Sequence, residues 1–225
     1  MNELNKKSFG RLVFLIIALV VLLFGPAGTF DYWQAWVFLS VFFVATLAIT
    51  LSLMENDPKL LERRVNAGPA TEKEKLQKVI QSLASLTFIA LFIVSAADHR
   101  FGWPAMPTYA VIAGDVLVAL GLFVAFLVFK ENTYTSATIE VGADQKIITT
   151  GPYAIVRHPM YAGSLIMLFG VPLALGSWGG LLVVIPMLLV IIWRLLDEEK
   201  FLAKNLSGYP EYQKKVRYRL IPFVW

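Results

Sequence analysis

Apolar positions along this chain gather into six runs divided by short polar or turn-forming stretches. They cover about Leu12 to Ala27, Trp33 to Met54, about Ile80 to Ala97, about Thr108 to Phe129, Met160 to Gly176 and Trp178 to Leu196. The first breaks at Gly25-Pro26, and the last two are joined only at Gly176-Ser177. A helix needs roughly 20 residues to cross about 30 Å of hydrocarbon. The second and fourth runs are long enough. The fifth is short and contains Pro172, so the fifth and sixth are expected to form a tight helical hairpin, tilted or shallow. The third has a helical lead-in at Thr71-Glu72-Lys73-Glu74, a capping-box pattern in which hydroxyl and carboxylate satisfy free N–H groups. Between the second and third, Asn56 to Pro69 reads as amphipathic. Asp57-Pro58 starts a short helix, Gly68-Pro69 ends it, and Leu60, Leu61 and Val65 are expected to lie on lipid headgroups. The first run has the layout of a signal peptide, but five more runs follow, so an uncleaved helix is expected.

Composition agrees with a membrane protein. The chain has 225 residues, 57% hydrophobic and 16% charged, against about 45–50% and 25% for soluble domains. Mean hydropathy is +0.65. An ordinary soluble, disordered or fibrous chain is excluded. With no cysteine, disulfides, Cys-ligated zinc, iron–sulfur clusters and a thiol nucleophile are excluded too. The net charge of +4 marks a membrane face rather than a nucleic-acid partner. Nineteen of the 20 Lys and Arg fall on one side of the implied topology, leaving Arg100 alone on the other. By the positive-inside rule both termini face the cytoplasm. The fold class expected is all-α: a polytopic membrane helix bundle with about six transmembrane helices. Residues 1–129 would supply four helices and a cytoplasmic amphipathic loop at 55–78. Residues 130–225 would supply a cytoplasmic loop, a helical hairpin at 160–196 and a cytoplasmic tail.

Polar chemistry is concentrated after residue 130. Arg157 and His158 directly precede an apolar helix, and Pro159 suits its first turn. A helix N-terminus favours a carboxylate or phosphate; a snorkelling Arg with interfacial His and Tyr is the plainer reading. Arg194 and Glu198, four apart, share a helix face just inside the sixth run. They form a structural ion pair, with Asp197 as another partner, or they hold ligand groups of opposite charge. The tail, with Tyr209, Tyr212, Arg217, Tyr218 and Arg219, is an interfacial anchor or a lid. Asp115, within the fourth run, is expected to reach the interface or a neighbouring hydroxyl. There is no GxGxxG, no phosphate-binding GxxxxGK[ST], no arginine ladder and no TVGYG-like filter. The two histidines, His99 and His158, fall on opposite sides, so no metal site is expected.

Gly151-Pro152-Tyr153 followed by Arg157-His158-Pro159-Met160-Tyr161 resembles the signature of the isoprenylcysteine carboxyl methyltransferase family. So does Arg194-x-x-x-Glu198-Glu199, and so does the ending from Gly208-Tyr209 through Tyr212 and Val216 to Leu220-Ile221-Pro222. The resemblance covers about residues 130–225. It implies an integral-membrane methyltransferase using S-adenosylmethionine. His158, Pro159 and Tyr161 would line the cofactor pocket, with Tyr153 and Arg157 nearby. Glu198 and Glu199 would contact the cofactor or shape its pocket, and Arg194 would face the methyl acceptor or help hold the site. The implied acceptor is lipophilic or small: a prenylcysteine-like carboxylate, a lipid amine or a thiol. A bacterial or archaeal cytoplasmic membrane is the expected location, and the oligomeric state is left open. Two rivals remain. Membrane sterol reductases, which use NADPH, share a tail resembling Val216-x-Tyr218-Arg219-Leu220-Ile221-Pro222; their His box reads Arg-His-x-x-Tyr-x-Gly-Asp, whereas here Pro159 follows the His and Ser164 stands in place of that Asp. A transporter or structural membrane protein would leave Arg157, His158, Arg194 and Glu198 to topology and packing.

Overall fold

The computed structural model describes residues 3–65, 72, 74–136, 138, 139, 141 and 145–225. Among these lie eight α-helices: α1 (Glu3–Ala27), α2 (Trp33–Asn56), α3 (Pro58–Val65), α4 (Lys75–Phe101), α5 (Thr108–Glu131), α6 (Pro159–Ala174), α7 (Trp178–Asn205) and α8 (Tyr209–Lys215). A 3₁₀ turn at Gly151–Ala154 precedes α6. Helices α1, α2, α4, α5 and α7 are long and apolar enough to cross a membrane; α6, at 16 residues, is shorter. At 1.5 Å per residue α6 reaches only about 24 Å, short of a full crossing. One core joins the bundle, with Leu23, Phe38, Phe92, Leu175 and Met187 buried in it. Phe14, Val21, Leu182 and Leu189 point outward, where lipid would cover them.

Helix α6 is gripped chiefly by α5, through a seam of glycines. The pairs are Gly114 with Gly170 and Gly121 with Gly163. A Cβ on Gly121 would stand 2.5 Å from the Gly163 carbonyl, and one on Gly170 would stand 2.8 Å from that of Gly114. Only glycine lets the two backbones meet this closely. The link to α7 turns at Gly176, whose φ of +70° suits glycine. The α7 N-terminus is capped by two residues from different elements. Ser177 Oγ accepts from the Gly180 N–H at 2.8 Å. Asp98, near the end of α4, accepts from Ser177 Oγ at 2.7 Å and from the Gly179 N–H at 3.0 Å. At the same end, Tyr32 donates to the Leu175 carbonyl and stacks on His99 at 3.9 Å between centroids.

Several expectations change. Asp57 does cap α3, accepting from the Leu60 N–H at 3.0 Å. Leu60, Leu61 and Val65, however, are buried against Leu53 and Phe129 rather than spread on headgroups. Burying that apolar face inside the bundle end removes it from water and lipid interface alike. Of the capping box, Thr71 and Lys73 lie outside the described residues, as do Gly68-Pro69. Helix α4 starts after Glu74, which makes no side-chain cap. Asp115 is buried, and its Oδ1 has no hydrogen-bond partner among the described residues, so that oxygen reaches neither interface nor hydroxyl there.

Candidate active site

The end of α7 holds four charged groups, Arg194, Asp197, Glu198 and Glu199, that bond to α4, α6, the loop before α6 and the tail. Glu199 accepts from Arg157 Nε at 2.6 Å and from Arg219 Nε at 2.9 Å, with His158 Nε2 at 3.3 Å. Arg157 also donates to the carbonyls of Val216 and Arg217, both at 2.9 Å. The backbones join as well: the Arg157 N–H donates to the Tyr218 carbonyl and that of His158 to Arg219. The tail is thus clasped to the loop before α6 by a buried carboxylate. Such a pair is costly to break, because one charge would be left buried alone.

Among the described residues Arg194 is held at three points. Nη2 meets Glu72 at 2.7 Å, Nη1 donates to Gln77 at 3.2 Å, and Nε donates to the Tyr161 hydroxyl at 3.2 Å. Its ion pair therefore runs across to Glu72 instead of along α7 to Glu198 or Asp197. Asp197 accepts from Gln77, and Glu198 accepts from the Tyr161 hydroxyl. Glu72 also accepts from the Ile139 N–H.

Several of these groups border a cavity of about 630 Å³, within the usual range for ligand sites. Tyr153, Arg157, His158, Pro159, Tyr161, Arg194 and Glu198 all line it; Glu199 does not, its oxygens being taken by the clasp. Tyr209 and Tyr212 of α8 line it too, so the tail covers the cavity. Tyr212 donates to the Tyr153 carbonyl at 2.7 Å, and Tyr153 accepts from Asn132 at 2.9 Å. Burial pushes the phenols of Tyr153, Tyr209 and Tyr212 above their ordinary range, so they stay neutral. Among the described residues the buried Tyr209 hydroxyl has no hydrogen-bond partner. The other end of the cavity is apolar, formed by Phe88 and Ile89 of α4 with Met187 and Ile191 of α7. From Glu198 to Met187 is about 16 Å along the helix.

Sequence reading missed Glu72, Gln77 and the clasping part of Arg219. Glu72 and Arg194 are 122 positions apart, and no spacing links them. Arg219 carried a weak signal, as one basic residue in an aromatic tail.

Fold and site together define a polytopic helical membrane protein with a cavity polar at one end and apolar at the other. The sequence profile of the phospholipid methyltransferase family matches residues 109–208, from α5 through the clasped loop to the start of α8. The chain is 33% identical over 164 residues to the protein-S-isoprenylcysteine O-methyltransferase of Schizosaccharomyces pombe, covering 70% of this chain and 61% of that protein. It is 34% identical over 95 residues to the Delta(14)-sterol reductase of Mus musculus, covering 39% of this chain and 22% of that protein. Residues 109–208 thus resemble the phospholipid methyltransferase family, the likeness to the isoprenylcysteine methyltransferase extends beyond the motifs that first suggested it, and the chain spans less than two thirds of the length of either relative.

Proposed function

We propose that the chain is an S-adenosylmethionine-dependent methyltransferase of the membrane, acting on a lipophilic acceptor from the cytoplasmic side. The observation that carries this reading is the two-ended cavity, with Glu198, Tyr161 and His158 at one end and Phe88, Ile89, Met187 and Ile191 at the other. The residues fit the cofactor's chemistry. The first turn of α6 leaves the N–H groups of Met160 and Tyr161 without intrahelical acceptors, a setting for a carboxylate. Glu198, the one carboxylate lining the cavity among the described residues, suits a cationic group. When bound, S-adenosylmethionine supplies an electrophilic methyl group on a sulfonium.

The chain's own part is alignment and exclusion of water. Tyr161 donates to Glu198 and receives from Arg194, fixing the carboxylate's orientation. Glu199, through Arg157 and Arg219, holds the tail over the site. The apolar end would take the acceptor's hydrocarbon. A carboxylate acceptor would need no base, whereas an amine would have to lose a proton, for which Glu198 is the candidate. The bias of positive charge supports a cytoplasmic site.

Calorimetry on the detergent-purified full chain tests this. Saturable binding of S-adenosylmethionine and S-adenosylhomocysteine, with none of NADPH, is expected. His158→Ala and Glu198→Ala should each lose binding while remaining folded. Binding of NADPH alone would move the chain to the reductase reading. Binding of neither in detergent or nanodiscs would leave a transport or structural role.

A further inference from the structure

Three arginines line the cavity: Arg64, Arg157 and Arg194. Two are neutralised, Arg157 by Glu199 and Arg194 by Glu72. Among the described residues no carboxylate pairs with Arg64. Its Nη1 donates to the Ser136 carbonyl at 3.2 Å, and its guanidinium lies 5.1 Å from the Phe129 ring centre. Burial lowers its pKa; Tyr161 pulls the other way and Arg194 adds to the lowering. A guanidinium does not lose its proton in a protein, so a cation stands here beside a second arginine with no counter-ion of its own among the described residues. Such a group is stabilised by an anion delivered to it. Arg64 stands one turn after Leu60 on the inward face of α3, which Leu60, Leu61 and Val65 anchor to Leu53 and Phe129.

The planar guanidinium fork matches the two oxygens of a carboxylate or phosphate. Gln81, Ser85 and Thr138 supply polar lining in the same cavity, and Phe88, Ile89 and Met187 supply its apolar part. We propose that Arg64 is a specificity-determining residue that holds an anionic group, a carboxylate or a phosphate, carried by the lipophilic acceptor. The word acceptor rests on the methyltransferase reading; the anion site does not.

The test uses the detergent-purified full chain and four probes: N-acetyl-S-farnesylcysteine, its carboxamide, farnesyl monophosphate and inorganic phosphate. Binding is followed by calorimetry beside that of S-adenosylhomocysteine. The two anionic farnesyl probes should bind at least ~10-fold more tightly than the carboxamide, and whichever is tighter identifies the headgroup. Arg64→Gln, which keeps a donor for Ser136, should bring the anionic probes down to the carboxamide level. It should leave the carboxamide and S-adenosylhomocysteine unchanged, and Arg64→Lys should recover part of the loss. Equal binding of acid and carboxamide, anion binding that survives Arg64→Gln, or no farnesyl binding at all would overturn the inference. Full competition by inorganic phosphate at equal concentration would overturn its assignment to a lipid. Loss of S-adenosylhomocysteine binding by the unmodified chain would defeat the methyltransferase reading while leaving an Arg64-dependent anion site standing.

Discussion

Replacing Gly121 by alanine probes the seam that sets the cavity's shape. The added Cβ would stand 2.5 Å from the Gly163 carbonyl oxygen and 2.6 Å from the Met167 nitrogen. Both are backbone atoms, so neither can swing aside. Contacts relax near about 3.5 Å, so α5 and α6 must part by about 1 Å. Overpacking of this kind costs about 1–3 kcal/mol. Helix propensity opposes it, because alanine gains about 0.5–1 kcal/mol over glycine in a helix interior. With two backbone contacts this close sterics win, leaving a net loss of up to about 2.5 kcal/mol, at roughly 2–4 °C in Tm per kcal/mol for this size. Gly10→Ala is the control. It sits in α1 with nothing within 4 Å of its Cβ position, so only propensity acts and stability should hold or rise. Pro159 to Tyr161 open α6, so parting the helices also moves the polar end of the cavity. A misplacement near 1 Å can cost on the order of 100-fold in rate. Thermal unfolding in detergent, with S-adenosylhomocysteine affinity measured alongside, decides the matter. A Gly121→Ala protein that melts at or above the parent, as Gly10→Ala is expected to, would refute the close-packed seam.

Three further outcomes are expected. Asp98→Ala removes acceptors from Ser177 and Gly179 and should lower stability by about 1–3 kcal/mol; ligand affinity should be unchanged, since Asp98 lies at the far end of α4 from the cavity. Glu199→Gln leaves Arg157 and Arg219 without their carboxylate, a loss of about 3–5 kcal/mol for a buried pair, and limited proteolysis should then cut the tail faster than in the parent. Tyr212 has its phenol raised by burial, so it favours the folded state fully below the ordinary phenol pKa of about 10 and progressively less as pH rises above it. Tyr212→Phe should flatten the stability loss between about pH 10 and 11; an unchanged alkaline profile would show that another group controls it.

The long helices were legible because their signal is local. Trp33–Asn56 and Thr108–Glu131 match the apolar runs within two residues. The motif residues were legible for the same reason: Arg157, His158 and Pro159 announce the start of a helix by themselves. What joins them was not. The Gly114, Gly121, Gly163 and Gly170 seam did leave a trace, a seven-residue spacing in each helix, but glycine in an apolar run also reads as mere tolerance. The Glu72 to Arg194 pair left none, since a buried ion pair depends on two side chains meeting across the bundle. Leu60, Leu61 and Val65 show the same limit: an amphipathic face demands a partner without saying whether that partner is lipid or protein.

Helical geometry explains why so much converges at the end of α7. Successive residues turn by about 100°, so Asp197, Glu198 and Glu199 point in three directions. They meet Gln77 of α4, Tyr161 of α6 and the Arg157–Arg219 clasp in turn. Arg194, one turn earlier on the Glu198 face, reaches Glu72. The three acids are therefore not interchangeable, although two of them stand side by side in the motif. Glu198 alone of the three lines the cavity, so its replacement should change ligand affinity first and stability second. For Glu199 the order should reverse, because its effect on a ligand passes through the tail that it holds. Measuring both quantities for both variants separates the ligand contact from the clasp, and the same ordering for the two would contradict the division of labour that the helix end imposes.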